Sequence, residues 1–268
     1  MNVKAYILPL AALCLGFGWA AAPPIKVKTQ DDWCRESSNR DRGWFCEVRE
    51  FSLNPGDLTS IDAGPNGGIS VTGWDRNEVY VVAKVQAYAR SDADAQDLGS
   101  EVEIETSGRT IQADGPRTGN KESWSVSYRV SVPHNFDLEM STTNGGVSIE
   151  NVMGNLDFRT TNGGVTLVDV GGDVRGRTTN GGVKVELSGS EWQGPGLDLQ
   201  TTNGGVRMWI PEGYNAELIS GTTNGGLRVD FPITVSGRID RRLQTELGRG
   251  GAPIRVVTTN GGVTISRR

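Results

Sequence analysis

The most reactive side chains of this sequence are carboxylates that recur along alternating polar and apolar segments. Five of them fall at outward positions: Asp157, Asp169, Asp173, Glu186 and Asp198. Paired carboxylates hydrolyse glycosidic bonds when they lie about 5–9.5 Å apart. Because sequence spacing does not show such an approach, we interpret the set as a solvated charged face and predict no catalytic residue.

Histidine chemistry depends on a single residue, His134. It follows Pro133 just as Glu212 follows Pro211, and a charged residue at the matching position indicates a solvated turn. A general base needs an orienting partner, and the sequence identifies none for His134. One histidine also excludes most metal sites and histidine-based triads, so the sequence predicts neither a metal nor a cofactor.

The first two dozen residues are typical of a targeting segment. A short cationic start precedes an almost wholly apolar stretch, residues 5–22, and Gly18-Trp19-Ala20 provides a small-residue cleavage site. This pattern predicts a secretory signal peptide over residues 1–20, so we expect an exported protein, either periplasmic or at the cell surface. An uncleaved anchor is the alternative, which Pro9 and the short apolar core disfavour. After cleavage we expect no membrane-spanning segment.

Two cysteines remain after cleavage, Cys34 and Cys46, in a polar segment beside Trp33 and Trp44. An even count in an exported chain predicts a disulfide. A redox pair usually has a Cys-x-x-Cys spacing, and a metal pair needs further ligands that this segment does not offer. We therefore predict a structural disulfide within an N-terminal segment of residues 21–50.

Composition and charge exclude further classes of protein. Glycine accounts for 37 of the 268 residues, about twice its usual frequency, but without the Gly-X-Y period of collagen. The formal net charge of −5 argues against a nucleic-acid partner, because phosphate binding needs clustered cations. Residues 228–268 nevertheless carry eight cations and three anions. This arginine-rich end suits anionic glycans or lipid headgroups, although solubility alone also accounts for it.

An internal repeat is the strongest signal in the chain. The pentapeptide Thr-Thr-Asn-Gly-Gly occurs six times, and Pro65-Asn66-Gly67-Gly68 is a degenerate copy. The asparagines of the six intact copies are Asn144, Asn162, Asn180, Asn203, Asn224 and Asn260. They are 18, 18, 23, 21 and 36 residues apart, which indicates stacked units of about 20 residues. The last gap predicts one additional unit that has lost its motif.

Each unit alternates polar and apolar residues on both sides of the motif, which predicts two short strands per unit. We expect the glycines of Asn-Gly-Gly to supply positive φ angles for a sharp turn. A second turn is expected at Met153-Gly154, Gly171-Gly172 or Ser188-Gly189.

Two all-β architectures fit this pattern. An antiparallel meander or β-sandwich separates identical turns by two strand spacings, about 9.5 Å, so the motifs would not touch. The coils of a solenoid stack about 4.8 Å apart, which places Asn on Asn and Thr on Thr. We therefore predict an all-β, right-handed β-solenoid or β-helix-like stack, with coils of about 18–23 residues, over residues 51–268.

The export signal, the Val132-Pro133 and Ile210-Pro211 steps and the repeated Thr-Thr-Asn-Gly-Gly-Val resemble the bacterial β-strand-repeat domains named as candidate adhesins. The resemblance covers residues 51–268 and implies a β-solenoid-like fold in an exported or envelope protein. It brings no catalytic residues to this chain. We accordingly expect a non-enzymatic, adhesin-like binding module for glycan or protein surfaces. The alternatives are a periplasmic or envelope scaffold that works through protein partners, for example in stress sensing, and a polysaccharide-active enzyme.

Overall fold

Alternating polar and apolar residues form short strands along most of the chain. The computed structural model describes residues 25–28, 31–35, 42–232 and 241–268. The predicted signal peptide, residues 1–20, lies outside the described residues.

The strands are numbered in chain order. The first ten are β1 (Lys26–Lys28), β2 (Gly43–Leu53), β3 (Ser60–Asp62), β4 (Ile69–Trp74), β5 (Val79–Ala89), β6 (Glu103–Glu105), β7 (Thr110–Asp114), β8 (Ser123–Pro133), β9 (Leu138–Thr142) and β10 (Val147–Glu150). The others are β11 (Met153–Thr160), β12 (Val165–Val168), β13 (Gly171–Asn180), β14 (Val183–Glu186), β15 (Gly196–Asn203), β16 (Val206–Ile210), β17 (Ala216–Asn224), β18 (Leu227–Val229), β19 (Arg242–Leu247), β20 (Pro253–Asn260) and β21 (Val263–Arg267).

These strands form two sheets. Sheet 1 has the order β1-β2-β5-β8-β4-β10-β12-β14-β16-β21-β18, and sheet 2 has the order β19-β17-β20-β15-β13-β11-β9-β3-β7-β6. Each repeat contributes one strand to each sheet. Neighbouring repeats pair in parallel and in register, so that Val147 lies beside Val165 and Val165 beside Val183. The predicted all-β solenoid is confirmed, and the antiparallel meander is excluded for the repeats.

Inward-facing side chains of both sheets form one continuous hydrophobic core. In sheet 1, the apolar residue after each motif stacks on its equivalents; these residues include Val147, Val165, Val183, Val206 and Val263, all buried. Burying one such side chain stabilises the fold by about 1.5–3 kcal/mol relative to leaving it exposed. The period-two alternation of the sequence therefore translates directly into one buried face for each strand.

The coils do not stack in chain order at the C-terminal end. The last two strands, β20 and β21, lie between the coil of β15 and β16 and the coil of β17 and β18. Between Asn224 and Asn260 the described residues form β18, β19 and β20, and β19 pairs antiparallel with β17 at the edge of sheet 2. Within the described residues this gap adds no further parallel coil, because β19 runs antiparallel to β17 and sheet 1 ends at β18.

The second turn of two coils begins earlier than predicted. Asn151 and Asp169, which follow β10 and β12, have left-handed backbone with φ of 56° and 51°. Asn and Asp tolerate this conformation better than most residues, so the chain turns there. Met153-Gly154 and Gly171-Gly172 lie within β11 and β13 instead. Only Ser188-Gly189 of the three predicted positions falls in a turn, with φ of 69° at Gly189.

The N-terminal residues extend sheet 1 beyond the repeats through antiparallel strands. β2 pairs with β5, and β5 pairs with β8. Because β2 runs through residue 50, the N-terminal segment and the repeat strands share one sheet. The chain between β5 and β6 forms helix α2 (Asp92–Ser100), whose N-cap Ser91 accepts a hydrogen bond from the backbone of Asp94. Arg49 of β2 donates to the carbonyl of Gly99 in this helix (3.3 Å).

Helix α1 (Asp32–Arg35) is anchored by the disulfide between Cys34 and Cys46, whose Cα atoms lie 5.7 Å apart. The predicted disulfide is thus confirmed. Both cysteines are buried with Val48 in a small cluster separate from the main core. Beside it, the guanidinium of Arg129 lies 3.8 Å from the ring centroid of Trp33. The described residues contain no helix long and apolar enough to cross a membrane.

Replacing both cysteines by serine is expected to lower the free energy of unfolding by about 3 kcal/mol, because a loop of this length regains that much chain entropy when unfolded. Urea denaturation followed by tryptophan fluorescence measures the loss. The unmodified protein in reductant is the matched control and should lose a similar amount. An unchanged midpoint in both samples would contradict this account.

Candidate functional site

The asparagines of the motif form one hydrogen-bonded ladder along an edge of the solenoid. In each of the six intact motifs, the asparagine Nδ2 donates to the Oδ1 of the asparagine in the neighbouring coil, over 2.7–3.0 Å. In spatial order, this asparagine ladder is Asn66, Asn144, Asn162, Asn180, Asn203, Asn260 and Asn224. The inner asparagines therefore use both ends of the side-chain amide to hold coils together.

The two threonines of each motif have different environments. The first is buried, and in five of the six motifs its hydroxyl donates to the carbonyl of a glycine in the neighbouring coil; Thr160 donates to Gly145 and Thr178 to Gly163, over 2.7 and 2.8 Å. The exception is Thr222, which donates to the carbonyl of Thr259. The second threonine of each motif is exposed on the outer face of sheet 2, as at Thr179. Only the second threonines are therefore available to a ligand.

The first glycine of the motif is required by close approach of neighbouring coils. A Cβ on Gly163 would lie 1.9 Å from the carbonyl oxygen of Gly145, and one on Gly181 would lie 1.9 Å from that of Gly163. A Cβ on the second glycine, Gly164, would lie 3.4 Å from the nearest oxygen. None of these motif glycines has positive φ. The sequence prediction was wrong on this point, because the constraint comes from the coil stacked alongside and not from the turn.

A row of residues from five neighbouring strands crosses the outer face of sheet 2 and forms the floor of a groove. Strand register aligns Arg177 of β13, Gln200 of β15, Val257 of β20, Gly221 of β17 and Arg242 of β19. Four strand spacings separate the two arginines, which is about 19 Å. The groove over this row has a volume of about 900 Å³, and we refer to it as the sheet-2 groove.

Polar side chains border the sheet-2 groove on both sides. One side is a row of exposed second threonines: Thr179, Thr202, Thr259 and Thr223. On the other side, Arg255 binds Asp198 (2.6 Å). Within the part of the chain that the structure describes, neither Arg177 nor Arg242 forms an ion pair. Among the described residues, the groove thus presents two cations without an ion-pair partner, one at each end, with hydroxyl and amide groups between them.

Four of the five acidic residues considered for catalysis form ion pairs with basic side chains. Ion pairs join Asp157 to Arg159 (3.6 Å), Asp173 to Arg175 (2.8 Å), Asp198 to Arg255 (2.6 Å) and Glu186 to Lys184 (2.7 Å). The first three lie on sheet 2, whereas Glu186 lies on sheet 1. The lysine also lowers the pKa of Glu186 through its hydrogen bond. The interpretation as a charged face fits this geometry.

His134 has a partner that the sequence did not reveal. Its Nδ1 lies 2.9 Å from the carbonyl oxygen of Asn151, and its Nε2 lies 3.2 Å from Oδ1 of Asp75, which is 59 residues away in sequence. The hydrogen bond to Asn151, with the charge of Asp75 in addition, raises the pKa of His134. The side chain is nevertheless about half exposed, consistent with the predicted solvated turn.

A second cavity of about 340 Å³ adjoins His134 along the second turns of the coils. Ser188 donates to Asp169 there, and burial followed by the charges of Glu191 and Asp169 raises the pKa of Tyr214 to about 12. A tyrosine with such a pKa stays protonated at neutral pH. In the described residues, no group of three or more His, Cys, Asp and Glu is placed to hold a metal ion.

Two facing sheets, parallel coils and a ladder at the motif edge define the protein as a β-solenoid. A family model described as Toastrack DUF4097 matches residues 67–266, and the chain belongs to this family. No curated protein matches the sequence of this chain.

Among solved structures, the chain is similar to proteins named as candidates for adhesion or lipid binding. A candidate cell adhesion protein from Clostridium sporogenes is 10% identical with a TM-score of 0.42, covering 82% of this chain and 99% of that chain. A candidate adhesin from Bacteroides fragilis is 14% identical with a TM-score of 0.38, and the match covers 82% of this chain and 97% of that chain. A candidate lipid-binding protein from Parabacteroides distasonis is 10% identical with a TM-score of 0.29, and the match covers 83% of this chain and 96% of that chain.

Proposed function

We propose that the protein is an exported, non-enzymatic binding module whose sheet-2 groove binds an extended anionic polymer of the acidic polysaccharide class. The observation that carries this proposal is the row between Arg177 and Arg242, in which two arginines that form no ion pair with any described residue face an open groove. Arginine recognises carboxylate and sulfate groups through paired N–H donors. A polymer with charges spaced along its length matches two such donors about 19 Å apart.

The floor of the groove supports an extended ligand. Between the two arginines lie Gln200, Val257 and Gly221, and Gly221 has no side chain to obstruct a chain that lies across the strands. The bordering threonine hydroxyls and the Gln200 amide both donate and accept hydrogen bonds, as sugar hydroxyl groups do. The groove is therefore suited to sugars that carry acidic substituents.

The chemistry of the lining favours charge recognition over stacking. The described residues that line the groove include no aromatic side chain, so neutral sugar rings would find no aromatic face to pack against. Interactions between exposed charges weaken in salt, because the Debye length falls to about 8 Å at physiological ionic strength. Binding in the sheet-2 groove should therefore decrease as salt increases.

Export is part of the proposal, and the disulfide supports it. Bonds such as Cys34–Cys46 persist in oxidising compartments and are rare in the cytosol. The proposed domains remain a signal peptide over residues 1–20, an N-terminal disulfide segment over 21–50 and the repeat domain over 51–268. Protease treatment of intact cells distinguishes a location at the cell surface from one in the periplasm. Released peptides would indicate the cell surface, and peptides released only after the envelope is opened would indicate the periplasm.

Arg177→Gln and Arg242→Gln are each expected to weaken binding of an oligogalacturonide by roughly tenfold, because each removes one charge-assisted contact. The double variant should lose roughly a hundredfold if the two distant sites act independently. Isothermal titration calorimetry with the full mature chain measures the affinity. The methyl ester of the same oligosaccharide, which lacks the charge, should bind weakly to every variant.

Arg207→Gln is the matched control, since Arg207 is an exposed arginine on the outer face of sheet 1. It should leave the affinity unchanged. Equal binding of the charged and methylated oligosaccharides, or an unaffected double variant, would overturn the groove assignment. New reducing ends in the titration mixture would instead favour the polysaccharide-active enzyme. Envelope proteins that co-purify without any glycan affinity would favour the scaffold.

A further inference from the structure

Every asparagine of the ladder is followed by glycine, which makes each step a candidate for spontaneous deamidation. In that reaction the glycine backbone nitrogen attacks Cγ of the asparagine, a C–N bond forms and ammonia leaves. Water then opens the resulting succinimide to aspartate or isoaspartate, so that one water is consumed for each ammonia released. Glycine permits the attack because it carries no Cβ to obstruct it.

The ladder holds its members unequally, because its hydrogen bonds all run in one direction. Asn260 accepts at Oδ1 from Nδ2 of Asn224 (2.8 Å), and Asn203 accepts from Asn260 (2.8 Å). The other end is held as well, since Asn66 accepts from Asn144 (3.0 Å). Among the described residues, only Asn224 has no neighbouring asparagine that donates to its Oδ1.

The attacking nitrogens of the two steps next to Asn224 are held by hydrogen bonds to the neighbouring coil. The amide of Gly204 donates to the carbonyl of Asn260 (3.0 Å), and the amide of Gly261 donates to that of Asn224 (3.1 Å). In sheet 2, β19 lies beyond β17 but pairs with it only over residues 216–221, and among the described residues no carbonyl accepts from the amide of Gly225. Gly225 is exposed, whereas Gly204 and Gly261 are only partly so.

We propose that Asn224 is the primary deamidation site of this protein and that modification then proceeds inward, to Asn260 and next to Asn203. The order follows from the direction of the ladder. An aspartate or isoaspartate at position 224 has no N–H to donate, so Oδ1 of Asn260 loses its donor. Its new carboxylate also faces that oxygen across 2.8 Å and repels it. Asn260 then becomes the unprotected end of the ladder.

The test is a time course of the intact, disulfide-bonded protein in mildly alkaline buffer. Peptide mapping by mass spectrometry, with enzymatic methylation of isoaspartate, quantifies each Asn-Gly step. Asn224 should convert roughly tenfold faster than Asn260, because the inner residue must first release a further hydrogen bond. Asn260 should follow with a lag. Equal rates at all steps, or first conversion at Asn66, would overturn the proposal.

Two variants at opposite ends of the ladder separate the proposed order from general loss of structure. Asn224→Asp should abolish the lag at Asn260, because it removes the same donor as the natural product. Asn66→Asp should leave the rate at Asn260 unchanged, since residue 66 only accepts in the ladder and a carboxylate still accepts. Circular dichroism confirms that both variants remain folded. A lag that persists in Asn224→Asp would refute the inward order.

Discussion

Gly163→Ala is expected to destabilise the protein by about 3 kcal/mol or more, whereas the same change at the adjacent Gly164 has little effect. A methyl group on Gly163 would lie 1.9 Å from the backbone carbonyl oxygen of Gly145. Backbone atoms in a stacked coil cannot move aside as the end of a side chain does, so neighbouring coils must separate. That movement also lengthens the hydrogen bond from Thr178 to the Gly163 carbonyl.

Gly164→Ala is the matched control because it adds the same methyl group one residue away. Its Cβ would lie 3.4 Å from the nearest oxygen, that of Gly182. Loss of chain entropy in the unfolded state offsets any small strain at such a site, by about 0.4–1 kcal/mol. Urea denaturation of both variants measures the difference in the free energy of unfolding. Similar losses at the two glycines would show that coil spacing does not select the motif.

The stacking of the coils could be predicted from the strict repetition of the motif, because each coil makes the same contacts with the coil beside it. Asn162 must reach Asn144, and Gly163 must admit the carbonyl of Gly145. These contacts join equivalent residues in neighbouring coils, so one repeating pattern encodes them all. The role of the glycine was nevertheless misread, since positive φ and close approach both select glycine and sequence does not separate them.

The sheet-2 groove could not be predicted because it depends on the order of coils in space. Arg177 and Arg242 are 65 positions apart, and β20 enters the stack between β15 and β17 although it follows both in the chain. The arginine-rich end, residues 228–268, is visible in the sequence and includes Arg242. No local pattern relates Arg177 to that end of the chain. The partner of His134, Asp75, was missed for the same reason.

The contact between Phe158 and Gly176 gives the second prediction of a large effect on stability. The aromatic ring of Phe158 occupies the space above Gly176 in the neighbouring coil. These residues are directly paired in β11 and β13, and a Cβ on Gly176 would lie 2.0 Å from the Phe158 ring. Phe158 is fully buried, so Phe158→Ala is expected to cost about 3–5 kcal/mol. Gly176→Ala alone should cost about 1–3 kcal/mol through overpacking.

The double variant Phe158→Ala/Gly176→Ala should be more stable than the sum of the two losses predicts, since removal of the ring makes room for the new methyl group. A residual contact with Leu199, whose side chain would lie 2.8 Å from that methyl, keeps the rescue partial. Chemical denaturation of the four proteins in the cycle gives the coupling energy. Combining Phe158→Ala with Gly164→Ala is the control and should be additive. Additivity in both cycles would mean that ring and glycine do not share one space, and that the core tolerates each change independently.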